Sequence, residues 1–329
     1  APMSAPVSEA DPRQGPVFAT SPPTFGHDEE RPACVLVIGM AGSGKSTLVK
    51  ALNHHMLSTR RRPYLVNLDP AVNQTTFKAS VDIRDVVDYH ALMEKYKWGP
   101  NGAIMTCLNL LLTKYDQLET VLEARAEEVD TMIFDTPGQI EVFTWSASGE
   151  LLTKQLAAVF PTTLLFVVDG IRCADPVTFV SNVLYALSIL YRLQVPLILV
   201  FNKADEADTA QLKSWLDDPD CMREAFKKCG EDAGFLASLQ QSLALALSEF
   251  TVALPPVCVS AITGEGMGDL VDAIERERGT WREDTKERLK QAKEEQEQRE
   301  ADHQSIQMQN MAEDMAREKE FSRLRKQHM

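Results

Sequence analysis

The chain has 329 residues, enough for one α/β domain with additional segments, and 44% of them are hydrophobic, as is ordinary for globular proteins. Its formal net charge of −14 argues against a surface for DNA or RNA, because neutralising phosphates requires clustered lysine and arginine. Apolar runs are too short to cross a membrane, so we expect neither a nucleic-acid nor a membrane partner.

Residues 1–30 are rich in proline, alanine and serine and lack the apolar core and basic start of a signal peptide. They are interpreted as a flexible arm. The 6 cysteines and 6 histidines show no metal-binding spacing, which predicts free thiols in a reducing compartment and no structural zinc.

From residue 31 onward, short apolar runs alternate with stretches of helical spacing. The runs are continuous, which is typical of strands covered on both faces of a parallel sheet. The alternation predicts a doubly wound, mainly parallel α/β sheet within residues 31–280. The predicted strands lie at residues 34–38, 64–68, 131–134, 163–168, 196–201 and 257–259.

Three further segments exceed a minimal α/β domain. Insertions are expected at about residues 70–128 and 206–250, the second one helical. Residues 281–329 are charged and poor in large apolar side chains, which predicts a solvated helical or disordered extension.

The first strand leads into the strongest motif, GMAGSGKST at residues 39–47, which fits G-x-x-x-x-G-K-[ST] between a strand and a helix. Glycines let backbone N–H groups turn toward phosphate oxygens, and the helix N-terminus adds partial positive charge. Lys45 is expected to reach the β- and γ-phosphates, and the Ser46 hydroxyl to ligate magnesium. A glycine-rich turn with an exposed lysine is the alternative, which the strand–loop–helix context disfavours. The predicted nucleotide contacts of this loop are Gly42, Ser43, Gly44, Lys45, Ser46 and Thr47.

The second strand runs into Asp69, which is followed by Pro70. If this strand lies beside the third one in a parallel sheet, Asp69 projects toward the γ-phosphate. It would there hold a magnesium-bound water or act as general base for the attacking water. An Asp-Pro turn without a catalytic role is the alternative.

The first insertion contains the sequence Gly99-Pro100-Asn101-Gly102. By itself it predicts only a tight turn. The glycines permit unusual backbone angles and Pro100 stiffens the chain, which is the composition of a preorganised projecting tip. Asn101 at such a tip offers amide donors to phosphate without adding charge.

The third strand ends in the sequence DTPGQ at residues 135–139. A strand that ends in Asp followed by x-x-Gly is where P-loop NTPases place a second magnesium carboxylate, which assigns Asp135 to the metal. The Gly138 N–H is expected to contact the γ-phosphate, and Gln139 to orient the attacking water. A helix N-cap is the alternative for Asp135, and other residues are alternatives for positioning the water.

The fifth strand ends in Asn202-Lys203-Ala204-Asp205. An Asp205 carboxylate accepts hydrogen bonds from guanine N1–H and the 2-amino group, whereas with ATP a buried Asp205 would stay unpaired. Lys203 is expected to lie along the base, and Asn202 to tie this loop to the P-loop. After the last strand, the Ala261 N–H is suited to guanine O6.

Together these motifs resemble the GPN-loop GTPases, in that family's order, over residues 34–280. The sequences at residues 64–70 and 135–141 and the charged extension look most like the eukaryotic paralogue implicated in RNA polymerase II biogenesis. The resemblance implies a Mg²⁺-dependent GTPase acting as a homodimer, or as a heterodimer with a related GPN-loop GTPase. In this family Asn101 would contact the phosphate product of the partner subunit. The resemblance also implies assembly and nuclear import of RNA polymerase II, with RNA polymerase II subunits as partners, in the cytoplasm with shuttling to the nucleus.

Two other function classes stay open. An ATP-dependent kinase or dimeric ATPase on the same sheet is disfavoured by the guanine-reading residues. It is also disfavoured by Met40, which occupies the place of the signature lysine of deviant dimeric ATPases. A nucleotide-binding scaffold or chaperone without turnover is the second class, because the geometry for turnover depends on a dimer.

Overall fold

The computed structural model describes residues 31–72, 75–228 and 256–281. The arm predicted at residues 1–30, residues 229–250 of the second insertion, and the extension from residue 282 lie outside these ranges. The predictions made for those segments therefore stay predictions.

Within the described ranges, seven parallel strands form one sheet in the order β3-β2-β4-β1-β5-β6-β7. The strands are β1 (Ala33–Gly39), β2 (Pro63–Asn67), β3 (Val81–Asp82), β4 (Thr131–Asp135), β5 (Thr162–Asp169), β6 (Leu197–Asn202) and β7 (Pro256–Val259). The predicted α/β fold with a parallel sheet is confirmed. The second and third predicted strands are neighbours, as the role considered for Asp69 requires, since Asn67 of β2 lies opposite Asp135 of β4.

All six predicted strands are present, and each end lies within one residue of its prediction. The edge strand β3 was not predicted. It contains only two residues, Val81 and Asp82, which pair with the end of β2. A hydrophobic pattern cannot reveal a strand this short, since only its pairing partner defines it.

Helices cover both faces of the sheet. They are α1 (Lys45–Ser58), α2 (Ile83–Val86), α3 (Tyr89–Tyr96), α4 (Pro100–Leu112), α5 (Tyr115–Ala126), α6 (Ile140–Thr144), α7 (Ala147–Val159), α8 (Pro176–Leu193), α9 (Thr209–Asp217), α10 (Pro219–Lys228) and α11 (residues 267–281). The first insertion thus contains β3 and α2 to α5, and the described part of the second contains α9 and α10.

Two hydrophobic clusters, one on each face, explain the continuous apolar runs. Leu36 and Ile38 of β1 belong to the cluster that includes α4 and α6 to α10, whereas Val35 and Val37 belong to the cluster that includes α1 and α11. Successive strand residues point to opposite faces, so a strand buried on both faces must be apolar at every position.

Helix α8 is the one described helix that is long and apolar enough to cross a membrane by length and composition alone. Much of it is packed into the core. The Phe179 ring stacks on Phe201 of β6 with centroids 5.8 Å apart and meets Trp215 of α9 edge-on at 5.3 Å. These contacts are typical of a core helix, and they pack α8 against Phe201 near the end of β6.

Candidate nucleotide-binding site

The predicted motifs follow the carboxyl ends of adjacent strands. The P-loop follows β1, Asp135 ends β4, and Asn202 ends β6, while β5 between them ends in Asp169. In an open parallel sheet, ligands bind in the crevice outside the carboxyl ends of the strands. The topology therefore brings the motifs to one edge.

The P-loop uses glycine where the backbone requires it. Gly42 and Gly44 have φ angles of 81° and 89°, in the left-handed region that side chains disfavour. A Cβ on Gly44 would also lie 2.4 Å from the Asn202 side-chain nitrogen. Helix α1 begins directly after Gly44, at Lys45, so its first N–H groups have no partner within the helix.

Lys45 is held inside the P-loop. Its ammonium donates to the carbonyls of Gly39 at 2.8 Å and Met40 at 3.1 Å. Burial lowers the pKa of Lys45, and the nearby carboxylates of Asp135 and Asp69 oppose that shift. The lysine charge is thus held next to both acidic residues predicted to act in the site.

The other side chains of the loop differ in exposure. The Ser43 side chain is buried, and its hydroxyl makes no hydrogen bond within the described residues. The backbone N–H of Ser43 donates to the Met40 carbonyl at 3.2 Å. Ser46 is half-buried, and Thr47 is exposed on α1.

Asp135 and Ser46 form an oxygen pair that fits magnesium. Asp135 is only 2% exposed, and its Oδ1 has no hydrogen-bond partner among the described residues. Burial raises the pKa of Asp135 to about 6, an effect that the Ser46 hydroxyl and Lys45 oppose and Asp69 increases. A buried carboxylate that lacks one partner and lies against a hydroxyl offers the hard oxygen ligands that Mg²⁺ takes.

Asp69 lies on the loop after β2, next to the same carboxyl edge. Its Oδ1 accepts the Ala71 N–H at 2.9 Å, which is the turn anticipated as an alternative. The carboxylate nevertheless faces the site. Burial raises the pKa of Asp69, while the N–H groups of Ala71 and Gly138 and the charges of Lys45 and Arg84 lower it.

The loop after β4 is fixed against the P-loop. The buried Thr136 hydroxyl donates to the Val37 carbonyl of β1 at 2.8 Å. A Cβ built on Gly138 would lie 4.0 Å from Ala41 of the P-loop. Gln139 comes next, is exposed, and precedes α6 at its N-cap position without a side-chain capping bond.

Asn202 connects three loops through one buried carboxamide. Its nitrogen donates to the Ser43 carbonyl of the P-loop at 2.9 Å. Its Oδ1 accepts the N–H of Lys203 at 2.9 Å and the N–H of Ala261 at 3.2 Å. A single side chain therefore fixes the phosphate loop relative to both loops predicted to contact the base.

Two details of the base loops differ from expectation. The Ala261 N–H, predicted to face guanine O6, donates to Asn202, so O6 would have to share or displace that bond. Asp205 is exposed rather than buried, because the turn after β6 points it away from the core. The Asp205 carboxylate would lose its contact with water in an adenine complex only if the bound base itself covered it.

Sequence reasoning did not identify Asp169 as a site residue. Its carboxylate lies 2.6 Å from the Lys203 ammonium, although the two residues are far apart in the sequence. The available signal was an apolar strand that ends in Asp169-Gly170, which resembles the way β4 ends in Asp135.

The Gly99-Pro100-Asn101-Gly102 segment begins a helix, so the expectation of a tight turn was wrong. Gly99 is the extended N-cap residue of α4, with φ −70° and ψ 167°, and Pro100 is its first residue. Neither glycine has a positive φ. Asn101 is exposed in the first turn, and among the described residues its side chain makes no hydrogen bond to the P-loop.

Comparisons with known proteins agree with this geometry. A family model described as "Conserved hypothetical ATP binding protein" matches residues 37–280. GPN-loop GTPase 1 of Schizosaccharomyces pombe is 41% identical over 293 residues, which cover 87% of this chain and 80% of the relative. GPN-loop GTPase 1 of Saccharomyces cerevisiae is 43% identical over 249 residues, which cover 74% of this chain. The crystal structure of a GTPase in apo form from Pyrococcus abyssi is 26% identical, with a TM-score of 0.64 over 74% of this chain and 97% of that one.

The extent of the match differs among relatives. The chain spans 80% of the fission-yeast protein but only 61–65% of the relatives from Arabidopsis thaliana, Dictyostelium discoideum and Saccharomyces cerevisiae. The activities and partners of those longer proteins therefore transfer to this chain only as proposals.

Proposed function

The chain belongs to the GPN-loop GTPase family and is a P-loop GTPase, and we propose that it binds GTP with magnesium at the edge described above and hydrolyses it as a dimeric switch. The observation that carries this proposal is the Asn202 carboxamide. It fixes the phosphate loop at Ser43 and the base loops at Lys203 and Ala261, so that phosphate and base recognition are coupled.

Guanine selection is proposed for Asp205. Its exposed carboxylate offers two acceptors for guanine N1–H and the 2-amino group, and adenine offers neither donor at these positions. The matching family model is described as ATP-binding, whereas the relatives and the archaeal structure are named as GTPases. The residues after β6 favour GTP.

Phosphate binding is proposed for the P-loop and Lys45. The ammonium already lies in the loop on the carbonyls of Gly39 and Met40, so a phosphate would compete with neutral acceptors for a charged donor. Ser46 and Asp135 would hold Mg²⁺, which when bound supplies charge neutralisation to the phosphates.

Proton transfer is proposed for Asp69, with Gln139 orienting the attacking water. Burial raises the pKa of Asp69, which brings a carboxylate closer to the range of an effective general base. Gln139 lies directly after Gly138, whose N–H faces Asp69, so the two side chains come from adjoining loops.

Asn101 is proposed to act on the nucleotide of a partner subunit, either a second copy or a related GPN-loop GTPase. Exposure of its side chain at the beginning of α4 supports this role, because an exposed amide beside free helix N–H groups suits a phosphate brought by another chain. Its side chain makes no hydrogen bond to its own P-loop among the described residues, which also favours action in trans.

The cellular role proposed is assembly and nuclear import of RNA polymerase II, in the cytoplasm with shuttling to the nucleus. It is supported by the resemblance at residues 64–70 and 135–141. Identification of co-purifying chains tests it, and polymerase subunits are the expected result. Their absence from the purified complexes would contradict this role.

The GTPase proposal is tested by comparing GTP with ATP in binding and in single-turnover hydrolysis. Asn101→Ala should keep nucleotide affinity but slow hydrolysis about 10–1000-fold, because one transition-state donor is lost. Asn109→Ala, which changes another exposed asparagine of α4, is the matched control and should leave the rate unchanged.

Mixing subunits separates action in trans from action within one chain. Asn101→Ala subunits mixed with Lys45→Ala subunits should recover activity, because a normal P-loop then faces a normal Asn101. Normal hydrolysis by Asn101→Ala, or full activity of a demonstrated monomer, would refute the role in trans.

A nucleotide-binding scaffold without turnover is the second candidate. It is favoured by the exposure of both Gln139 and Asn101, neither of which hydrogen-bonds to the P-loop within the described residues. Tight GTP binding with no phosphate release in single-turnover conditions, under which the dimer is present, would select this candidate.

A further inference from the structure

We infer that Asp169, the last residue of β5, is a positioning residue for guanine recognition that acts through Lys203. This inference rests on the proposed binding of guanine at the loop after β6. It assigns a role to a buried acid outside the sequence motifs.

The Asp169 carboxylate has one close cationic partner. It is only 10% exposed as a side chain, and Lys203 lies 2.6 Å away. Arg172 is farther, at 3.5 Å, and is 71% exposed. The Ile171 N–H also donates to this carboxylate at 3.1 Å. Because a buried carboxylate is costly unless it is paired, Asp169 constrains where the Lys203 side chain can go.

Lys203 needs such a constraint. Its φ angle of 67° lies in the left-handed region, which a lysine rarely adopts without support. Its carbonyl accepts the N–H groups of Glu206 at 3.1 Å and Ala207 at 3.0 Å, which closes the turn containing Asp205. The exposed Asp205 carboxylate is therefore positioned by this turn, and Lys203 is the residue from which the turn starts.

The ends of β5 and β6 are also locked to each other. Asp169 lies opposite Asn202 in the sheet, and the Gly170 N–H donates to the Asn202 carbonyl at 2.9 Å. A Cβ on Gly170 would lie 2.7 Å from that carbonyl, so only glycine permits this approach. Asp169 thus lies at a sheet end that is fixed by backbone hydrogen bonds. Its ion pair with Lys203 restrains the loop after β6 relative to that sheet end.

The test measures binding of GDP and of IDP, which lacks the 2-amino group, to the full chain. Asp169→Asn should weaken GDP binding about 10–100-fold and lower the ratio of GDP to IDP affinity, because Asp205 no longer meets the 2-amino group in register. Lys203→Met should give the same pattern. The double variant should be no weaker than Lys203→Met alone, since both changes break one interaction. Arg172→Met is the matched control and should alter neither affinity by more than about twofold.

The outcomes separate this inference from the proposed function. If the unaltered protein binds GDP no better than ADP, the guanine proposal itself fails. If it prefers GDP but Asp169→Asn retains the affinities and the GDP-to-IDP ratio, only the role of Asp169 is overturned. Equal losses for GDP and IDP, or additive effects in the double variant, also overturn it. Should Lys203→Met fail to fold because it leaves the buried Asp169 carboxylate unpaired, Asp169→Asn and the double variant contain no such carboxylate, and their GDP-to-IDP ratios decide.

Discussion

Replacing Asn202 with alanine tests whether one side chain couples the phosphate and base loops. The change removes three hydrogen bonds, to the Ser43 carbonyl and to the N–H groups of Lys203 and Ala261. The bond to Ser43 is buried, whereas the other two partners are partly exposed and can recover water. At about 1–3 kcal/mol for a buried unpaired group and less for the others, we expect a loss of about 2–4 kcal/mol in unfolding free energy.

Thermal unfolding without nucleotide and titration with GDP measure the two consequences. A loss of this size corresponds to a decrease of about 4–8 °C in Tm for a domain of this length. GDP affinity should fall about 10–100-fold, because the loops no longer hold base and phosphate sites at a fixed separation. Asn202→Asp keeps the shape but places an oxygen toward the Ser43 carbonyl, so it should be at least as damaging.

Asn182→Ala is the matched control. Asn182 is half-buried on α8, and its nitrogen donates to the Thr178 carbonyl of the same helix at 2.9 Å and to the Cys173 sulfur just before that helix at 3.6 Å, so its loss affects neither the P-loop nor the base loops. We expect a loss of about 1 kcal/mol or less and unchanged GDP affinity. If Asn202→Ala lowered Tm no more than Asn182→Ala and bound GDP normally, the coupling argument would be wrong.

Three other changes have defined outcomes. Asp205→Asn should weaken GTP binding by about 2–4 kcal/mol in a titration, and equal GTP and ATP affinity of the unaltered protein would contradict this. Burial raises the pKa of Asp135 from 3.8 to about 6, so without magnesium or nucleotide this group should remove about 3 kcal/mol of stability as pH rises from about 4 to above 6. Asp135→Asn should abolish that loss in pH-dependent unfolding, and an unchanged pH profile would contradict the assignment. Gly149→Ala places a Cβ 1.9 Å from the Phe143 carbonyl. Denaturant unfolding should show a loss of stability of at least about 1–3 kcal/mol, the usual cost of overpacking. Gly279→Ala in α11 is the control, because its Cβ meets no atom within 4 Å, and it should be neutral or stabilising.

The sheet could be predicted from the sequence because its strands are local patterns. A strand such as β1 is apolar at every position because both of its faces are buried. This produces a run of consecutive apolar residues that can be recognised in the sequence. The order of the strands is not contained in these patterns, and the pairing of β2 with β4 was only the condition under which Asp69 projects toward the γ-phosphate.

At the beginning of α4, residue composition and hydrophobic spacing predict different local structures. Gly99 and Pro100 are common turn residues, but proline is also common at the first position of a helix, which Pro100 occupies. The buried side chains Ala103, Cys107 and Leu111, four residues apart, already carried the helical period. Composition alone predicts a turn at this segment, whereas the spacing of the buried residues predicts the helix that the structure contains.

Contacts that depend on tertiary register could not be predicted. The Asp169–Lys203 ion pair exists because β5 and β6 align so that Asp169 lies opposite Asn202, and no spacing in the sequence reports that alignment. The exposure of Asp205 is a similar case, since burial depends on what lies opposite the turn rather than on the turn itself.

The hydrogen bonds already present in the site are ones that the proposed nucleotide switch would exchange. Lys45 donates to P-loop carbonyls, the Gly138 N–H faces Asp69, and the Ala261 N–H donates to Asn202. Each of these groups is predicted to contact nucleotide, so binding must exchange protein partners for ligand atoms. Such an exchange contributes only about 0.5–1.5 kcal/mol per hydrogen bond, yet it releases one internal tie in each of three loops. In the proposed switch, the ligand would change the loop conformation only as far as its affinity differs between loops that keep these internal hydrogen bonds and loops that have released them.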